Sequence, residues 1–262
     1  MKHGLPKYIC VLPLLSCLAF LPLPLLAQQS PAASQSEPTR LIGDIGLGAN
    51  IAPTIARSSS ANTGAVPYAN FDYGRIFARI DTFGVKLVPM GYGSLELVTR
   101  YIGDGYTPLH TSQGGLDQRK SSLPIGIGTL QTTPVGAFFV NAFHDANKSG
   151  GNLVDLIYAA EFDSGPFAFY PQAGAEYRSS AYVRYFYGVS AAESARSGLA
   201  AYQPRDTVNP FLGLFIEAKV SGHWYVNANL RRTWLDHAVS SSPLVARHAA
   251  NSALLSVSYR FE

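Results

Sequence analysis

Two neighbouring histidine and aspartate pairs, His144-Asp145 and Asp236-His237, are the residues best suited to acid–base chemistry in this sequence. A histidine beside a carboxylate is a common general acid or base in hydrolases. Adjacent side chains on a strand point to opposite faces, so neither pair forms a ready-made dyad. We predict that all four are solvated loop residues.

Other catalytic patterns are missing from the sequence. It has no Gly-rich phosphate loop, no nucleophile elbow and no metal-ligand spacing. Its two cysteines, Cys10 and Cys17, both precede residue 28, so the rest of the chain has neither a disulfide framework nor a thiol. We therefore expect no catalytic residue, no cofactor and no metal, and we predict that the protein is not an enzyme.

Instead, polar and apolar residues alternate along many segments, most clearly from Trp224 to Trp234. A period of two indicates a β-strand. The two tryptophans lie on one face, separated by roughly 25 Å along a barrel axis at about 3.3 Å per residue and a tilt of about 40°. This is the spacing of the two aromatic girdles of an outer-membrane barrel, and we assign Trp224 and Trp234 to them.

The composition agrees with a strand-rich protein. Of 262 residues, only 14% are charged and 12% are aromatic. No apolar run after residue 27 approaches the roughly 20 residues that a spanning helix needs. Without Lys2 and Lys7 the formal charge falls from +3 to +1, which does not indicate a nucleic-acid partner.

The N-terminus carries the features of a secretory signal. Lys2 and Lys7 precede an apolar stretch that ends in a plausible cleavage site at Ala27, and three prolines within it argue against a permanent membrane helix. We predict a signal peptide over 1–27, a flexible periplasmic leader over 28–39, and one barrel domain over 40–262 in the outer membrane of a Gram-negative cell.

The sequence predicts an all-β, up-and-down antiparallel transmembrane barrel of about ten strands. Short and long connections alternate, which places the short turns and both termini in the periplasm and the long loops outside. A soluble β-sandwich shows the same period of two but gives no reason for that alternation. The segment Pro67 to Met90 changes phase near Gly74, and we interpret it as one strand with a bulge, with a hairpin as the alternative.

If the apolar faces meet lipid, the opposite faces bring charges of both signs into the lumen. In a narrow barrel such groups pair and fill the space. We predict a structural network there, with a conduction path as the alternative. Its members are Asp44, Glu96, Arg100, Asp155, Glu161, Glu176, Arg178, Glu217, Lys219, Arg231 and Arg260.

The last strand ends in alternating aromatic residues. Tyr259 and Phe261 share its apolar face. We expect them to form the signal that the outer-membrane insertion machinery recognises.

One loop has a specific motif. Ser190 and Glu193 have capping-box spacing and Gly198 suits a C-cap, which predicts a helix over Ala191 to Ser197. The run from Tyr187 to Leu199, with Tyr202, closely resembles the "YFGV..xQAARSGLxxY" pattern of the MltA-interacting protein (MipA)/OmpV family. Three further segments resemble that family's "HWSL", "DSPIV" and "SYRF" motifs: His223-Trp224, Ser242-Pro243-Leu244-Val245 and Ser258-Tyr259-Arg260-Phe261.

The resemblance implies a function that the strands alone do not indicate. Membership of that family implies a scaffold that links a membrane-bound murein lytic transglycosylase with a murein synthase. The alternatives are a small-solute pore and a surface hydrolase. Outer-membrane lipid is expected to surround the barrel in each case.

Overall fold

The computed structural model of the protein describes residues 39–52, 55–57, 62–103, 105–106 and 114–262. The predicted signal peptide and the predicted leader up to residue 38 lie outside these ranges. The strands are β1 (Ile42–Ala52), β2 (Asn62–Tyr73), β3 (Ile76–Arg79), β4 (Thr82–Met90), β5 (Gly93–Arg100), β6 (Ile125–Thr133), β7 (Gly136–His144), β8 (Asn152–Ala159), β9 (Phe162–Ser164), β10 (Phe167–Arg178), β11 (Thr207–Ser221), β12 (Trp224–Trp234) and β13 (Ala249–Phe261). The helices are α1 (Ser180–Tyr187), α2 (Ala191–Ser197) and α3 (His237–Ser240).

The strands close into one antiparallel barrel. Except at β8 and β9, each strand pairs with the next along the chain, and β13 pairs with β1. Strands β8 and β9 both pair with β10 and so share one position in the wall. The thirteen strands therefore fill twelve wall positions in the described part of the chain. The predicted fold class is confirmed, but the predicted count of about ten strands was too low.

The difference lies in the segment from Pro67 to Met90. It forms three strands, β2, β3 and β4, joined by the two-residue turns 74–75 and 80–81. The predicted bulge at Gly74 was wrong, and the hairpin alternative was right. A two-residue hairpin shifts the inward and outward parity just as a bulge does, so the phase change could not distinguish them. In addition, the second turn contains Ile80 in a left-handed conformation (φ 59), and isoleucine is not a residue type that marks a turn in a sequence.

Strand β3 is short, which leaves part of β2 as an edge. The Ala69 carbonyl accepts a hydrogen bond from the Ile80 N–H (2.8 Å). Beyond it, the outer half of β2 pairs on that side with none of the described strands. Pro67 lies on this edge, where its missing N–H breaks no ladder bond.

The two faces of the wall differ in burial. Outward side chains such as Leu47 and Leu255 are largely exposed, while inward neighbours such as Ser256 and Asp44 are buried. Inward glycines make room for inward aromatic rings: a Cβ added at Gly84 would lie 2.5 Å from the Phe77 ring, and one at Gly174 would lie 2.5 Å from the Phe211 ring. The small inward residues thus allow a narrow lumen to be filled.

The helices lie in the long connections. Helices α1 and α2 follow β10, and α3 follows β12. Among the described residues, no helix has the length and apolar character to cross a membrane.

Candidate functional site

Helix α1 closes one end of the barrel. Tyr182, Val183 and Phe186 lie on one face of the helix and are each 0% exposed. Spacing of three and four residues places such side chains together on a helix. They pack against inward-facing Phe77, Val98, Phe143 and Leu153 of four different wall strands. The helix therefore forms an apolar plug in the mouth of the barrel.

Helix α2 is held by a buried ion pair. The predicted capping box is confirmed: the Ser190 side chain accepts from the Glu193 N–H, and Glu193 accepts from the Ser190 N–H. Gly198 adopts the left-handed conformation expected of a C-cap (φ 72). Glu193 also accepts a hydrogen bond from Arg119 (2.7 Å), which lies in the connection between β5 and β6.

The same contacts set the protonation of this region. Burial by itself raises the pKa of Glu193. Hydrogen bonds from Ser190 and Asp117 and the charge of Arg119 lower the pKa by more than burial raises it, so the net pKa lies below the usual range. Burial raises the pKa of Tyr106 to about 12. Its hydroxyl donates to the Phe186 carbonyl (2.9 Å) and so ties α1 to the β5–β6 connection.

The last long connection covers the plug from the other side. The Ser242 hydroxyl donates to the Tyr187 carbonyl (2.6 Å), and the Tyr202 hydroxyl donates to the Ala238 carbonyl (3.0 Å). Val239 and Val245 join the same apolar cluster. Residues from three connections therefore close the mouth together.

Ion pairs between inward side chains of different wall strands fill the lumen. Arg260 donates to both Asp44 oxygens (2.7 Å each) and also to Glu217. Arg100 pairs with Asp155. Glu176 accepts from Arg178 (3.0 Å) and from Arg231. Nine of the eleven predicted network residues therefore form ion pairs, eight of them in this set and Glu96 in a separate pair with Arg79: Asp44, Glu96, Arg100, Asp155, Glu176, Arg178, Glu217, Arg231 and Arg260.

The other two predicted network residues lie apart. Glu161 falls in the interruption between β8 and β9, where it is exposed and accepts from the Tyr170 hydroxyl (3.1 Å). Lys219 is exposed, with its Nζ 6.0 Å from the centre of the Tyr225 ring. Neither forms an ion pair within the described residues.

One arginine was missed in the sequence. Arg79 donates two 2.9 Å hydrogen bonds to the buried carboxylate of Glu96. It was missed because the phase change near Gly74 hid which residues of β3 point inward. The opposite parity of Ile76 and Ala78 was the signal that could have placed Arg79 in the lumen.

A small cavity remains beneath the plug. Its volume is about 240 Å³, and Glu176, Arg178, Tyr187 and Arg231 lie among its lining residues. It is smaller than the roughly 300–1,000 Å³ of sites for drug-sized ligands, so it would hold only a small solute.

Comparison with known proteins places this barrel in a family. The family model described as "MltA-interacting protein MipA" matches residues 45–261. The chain belongs to the MipA family. The match reaches well beyond the C-terminal motifs and covers nearly the whole barrel.

Several relatives of this MipA-family chain are named as outer-membrane proteins. It is 31% identical over 147 residues to the MltA-interacting protein of Escherichia coli, covering 56% of this chain and 59% of that relative. The chain thus spans less than two thirds of that relative's length. It is 25% identical to the putative outer membrane protein YiaT of Escherichia coli, covering 83% of this chain and 90% of YiaT. It is 27% identical to the outer membrane protein OmpV of Vibrio cholerae, covering 56% of this chain and 57% of OmpV. This MipA-family chain is an outer-membrane barrel protein.

The outward face of the MipA-family barrel carries the residues assigned to girdle and insertion. Trp224 and Trp234 both project outward, with 51% and 40% of their surface exposed. The Tyr259 ring contacts the rings of Trp224 (5.4 Å) and Phe261 (5.1 Å). Phe261 pairs with Gly43 at the seam where the barrel closes. The roles of these four residues in the membrane and in insertion stay predictions.

In the two histidine and aspartate pairs of this MipA-family chain, the aspartates hold connections in place, while His144 is the last residue of β7. Asp145 is fully buried and accepts from the Ser149 hydroxyl (2.6 Å), so the prediction that it is solvated was wrong. His144 is exposed and contacts the Asn152 side chain (2.8 Å). Asp236 caps α3 by accepting from the Ala238 N–H (2.8 Å). Within the described ranges, no three histidine or carboxylate side chains are grouped to hold a metal ion.

Proposed function

We propose that this MipA-family barrel is a closed scaffold, neither an enzyme nor a channel, which brings a murein lytic transglycosylase together with a murein synthase at the outer membrane. The observation that carries the proposal is the filled lumen. Helix α1 plugs one end, and paired arginines and carboxylates occupy the space between the wall strands. A barrel built in this way offers its surface to partners.

The name of the Escherichia coli relative supports the choice of partner, since that protein is called MltA-interacting. A murein lytic transglycosylase acts in the periplasm. The docking surface therefore belongs on the end of the barrel with the short turns, which we predict to face that compartment.

Two neighbouring turns at that end carry exposed apolar side chains. Tyr92 lies in the β4–β5 turn and is 65% exposed, and Val135 lies in the β6–β7 turn and is 70% exposed. Strands β5 and β6 pair directly, so the two hairpins are adjacent in the wall. An exposed tyrosine is a typical anchor of a protein interface, and the neighbouring valine adds apolar area beside it.

The test is site-specific photo-crosslinking in native envelopes, with the N-terminal leader intact. A photoreactive residue at Tyr92 or Val135 should capture the lytic transglycosylase, and affinity purification of the full chain should recover the synthase as well. The matched control is a photoreactive residue at exposed Arg205, in the long connection on the opposite end. Equal capture from Arg205, or recovery of the barrel without either enzyme, would contradict the scaffold.

A second candidate function is a small-solute pore, which the cavity beneath the plug favours. Arg178, Glu176 and Arg231 could hold a small charged solute there. The pore requires that the plug open, whereas the scaffold does not, so ion conductance separates the two. A surface hydrolase has no comparable support, because Asp145 and Asp236 bind loop backbone and side chains instead of a histidine.

A further inference from the structure

Arg232 stands out on the lipid-facing side of the barrel. Along the strands that the structure describes, it is the one Asp, Glu, Lys or Arg whose side chain lies on the outward face. Its neighbours on that face of β12 are Leu230 and Trp234. A charge on the lipid face costs little near the membrane interface, so Arg232 can lie there and meet a group of opposite charge.

A hollow in the wall adjoins Arg232. Ala253, a small outward residue, lies between Ile51 on one neighbouring strand and Leu230 on the other. Together with Leu212 and Leu214, the larger side chains border a shallow depression of about 550 Å³. Its exposed walls are largely apolar, which suits a hydrocarbon chain.

The polar end of the hollow lies towards the long loops. Arg232 pairs across the strands with Asn251, and both side chains lie on the outward face at the edge of the hollow. The Arg232 guanidinium lies 5.8 Å from the ring of Trp234, the residue at the outer end of β12. A guanidinium at that level meets the head groups of the outer leaflet, and its fork of donors matches a phosphate.

We propose that this hollow is a binding site for a phosphorylated glycolipid of the outer leaflet. One acyl chain lies between Ile51, Leu214 and Leu230, and a phosphate binds Arg232. The Asn251 amide hydrogen-bonds a sugar hydroxyl or an acyl amide. Charge complementarity and the position of Arg232 at the outer interface select this occupant over the phospholipid of the inner leaflet.

Titration of the purified, folded full chain with lipid A, followed by native mass spectrometry, tests the site. Arg232→Gln should weaken lipid A binding about tenfold, since a charge-assisted hydrogen bond is lost. Ala253→Leu should weaken it by filling the hollow while the charge stays. Arg232→Lys should lie between the native chain and Arg232→Gln, because a lysine cannot form the bidentate contact.

Two matched controls separate this site from diffuse attraction. Arg205→Gln removes an exposed loop charge, and Ala228→Leu adds the same bulk to an outward position on β12 away from the hollow. Neither should change binding. Heat-modifiable migration on gels shows that each variant is folded, and Arg232→Lys and Ala253→Leu remain informative if Arg232→Gln does not fold.

Three results would overturn the proposal. The first is unchanged lipid A binding in Arg232→Gln or Ala253→Leu. The second is a loss of lipid A binding in the two controls as large as the loss in those variants. The third is binding of phosphatidylglycerol or dephosphorylated lipid A as tight as that of lipid A.

Discussion

Four lumen arginines, Arg79, Arg100, Arg231 and Arg260, each pair with a carboxylate and also lie over an aromatic ring. The guanidinium of Arg79 is 3.8 Å from the centre of the Phe77 ring, and that of Arg231 is 3.4 Å from the Phe211 ring. Arg260 lies 3.8 Å over Tyr225 and Arg100 lies 4.9 Å over Phe143. A guanidinium that pairs with a carboxylate and also lies over an aromatic ring has few N–H donors left to bind an anion in the lumen. At this scale the contacts favour lumen charges that fill space, as the proposed closed scaffold requires.

Glu96→Ala tests this residue-scale interpretation. It leaves the largely buried Arg79 without its carboxylate, which should destabilise the barrel by up to about 3 to 5 kcal/mol. The double variant Arg79→Met with Glu96→Leu replaces the pair with apolar groups and should cost much less. Urea unfolding in lipid vesicles, followed by tryptophan fluorescence, measures both. A loss below about 1 kcal/mol for Glu96→Ala would show that the pair is not buried as described.

Glu193 makes a pH-dependent prediction. Its folded pKa lies below the unfolded value, so its stabilising contribution is present above the unfolded pKa and is lost as pH falls through the lowered folded pKa. The contact between α2 and Arg119 should therefore hold through mildly acidic pH and loosen only in strong acid. Limited proteolysis near residues 114–119 at decreasing pH measures this. Glu193→Gln should remove the acid transition, and an unchanged transition in that variant would assign it to another group.

The elements differ in how far the sequence could predict them. The strand from Trp224 to Trp234 and the α2 capping box were predictable because each follows a local rule, alternation in one case and side-chain capping in the other. The β2–β3–β4 hairpins were not, because a two-residue turn and a bulge change the phase equally and Ile80 carries no turn signal. Helix α1 was missed as well. Its Tyr182, Val183 and Phe186 face is helical in spacing, but it has no side-chain cap to mark its start, and its burial depends on four distant strands.

In the candidate site, too, some features could be predicted from the sequence and others could not. The inward charges followed from parity, so most of the lumen network could be named from the sequence. The choice of carboxylate for each arginine depends on how the twelve wall positions close into a barrel. That closure is a property of the whole sheet. The pairs join residues up to 216 positions apart, as Asp44 and Arg260 show.

At the scale of the closing strand, Phe261→Asp separates insertion from stability. Phe261 pairs at the seam and lies near the end of the outward face, where a charge costs only about 0 to 1 kcal/mol in the folded barrel. We expect near-normal refolding into detergent but a severe drop in assembled barrel in cells. The matched control is Phe167→Asp, which changes an outward aromatic residue of similar exposure on another strand. Normal assembly of Phe261→Asp in cells would show that this strand is not the insertion signal, and failure to refold in vitro would show that Phe261 lies deeper than described.

At the scale of the whole molecule, a largely apolar outward face surrounds an interior that the plug and the ion pairs fill. Plug, loops and ion pairs are joined by direct contacts, from Ser242 on Tyr187 to Glu176 between Arg178 and Arg231. A scaffold needs this rigidity, because its partners must find the same surface each time. A pore would need the plug and the pairs to separate, at the cost of leaving several buried charges unpaired.

Ion conductance tests the closed barrel most directly. The purified full chain is inserted into planar lipid bilayers, its folding is checked by heat-modifiable migration, and an open porin serves as the positive control under the same salt and voltage. The closed scaffold predicts no steady ohmic conductance from the native chain. Regular open-channel steps of constant size would contradict it and would make the small-solute pore the better account.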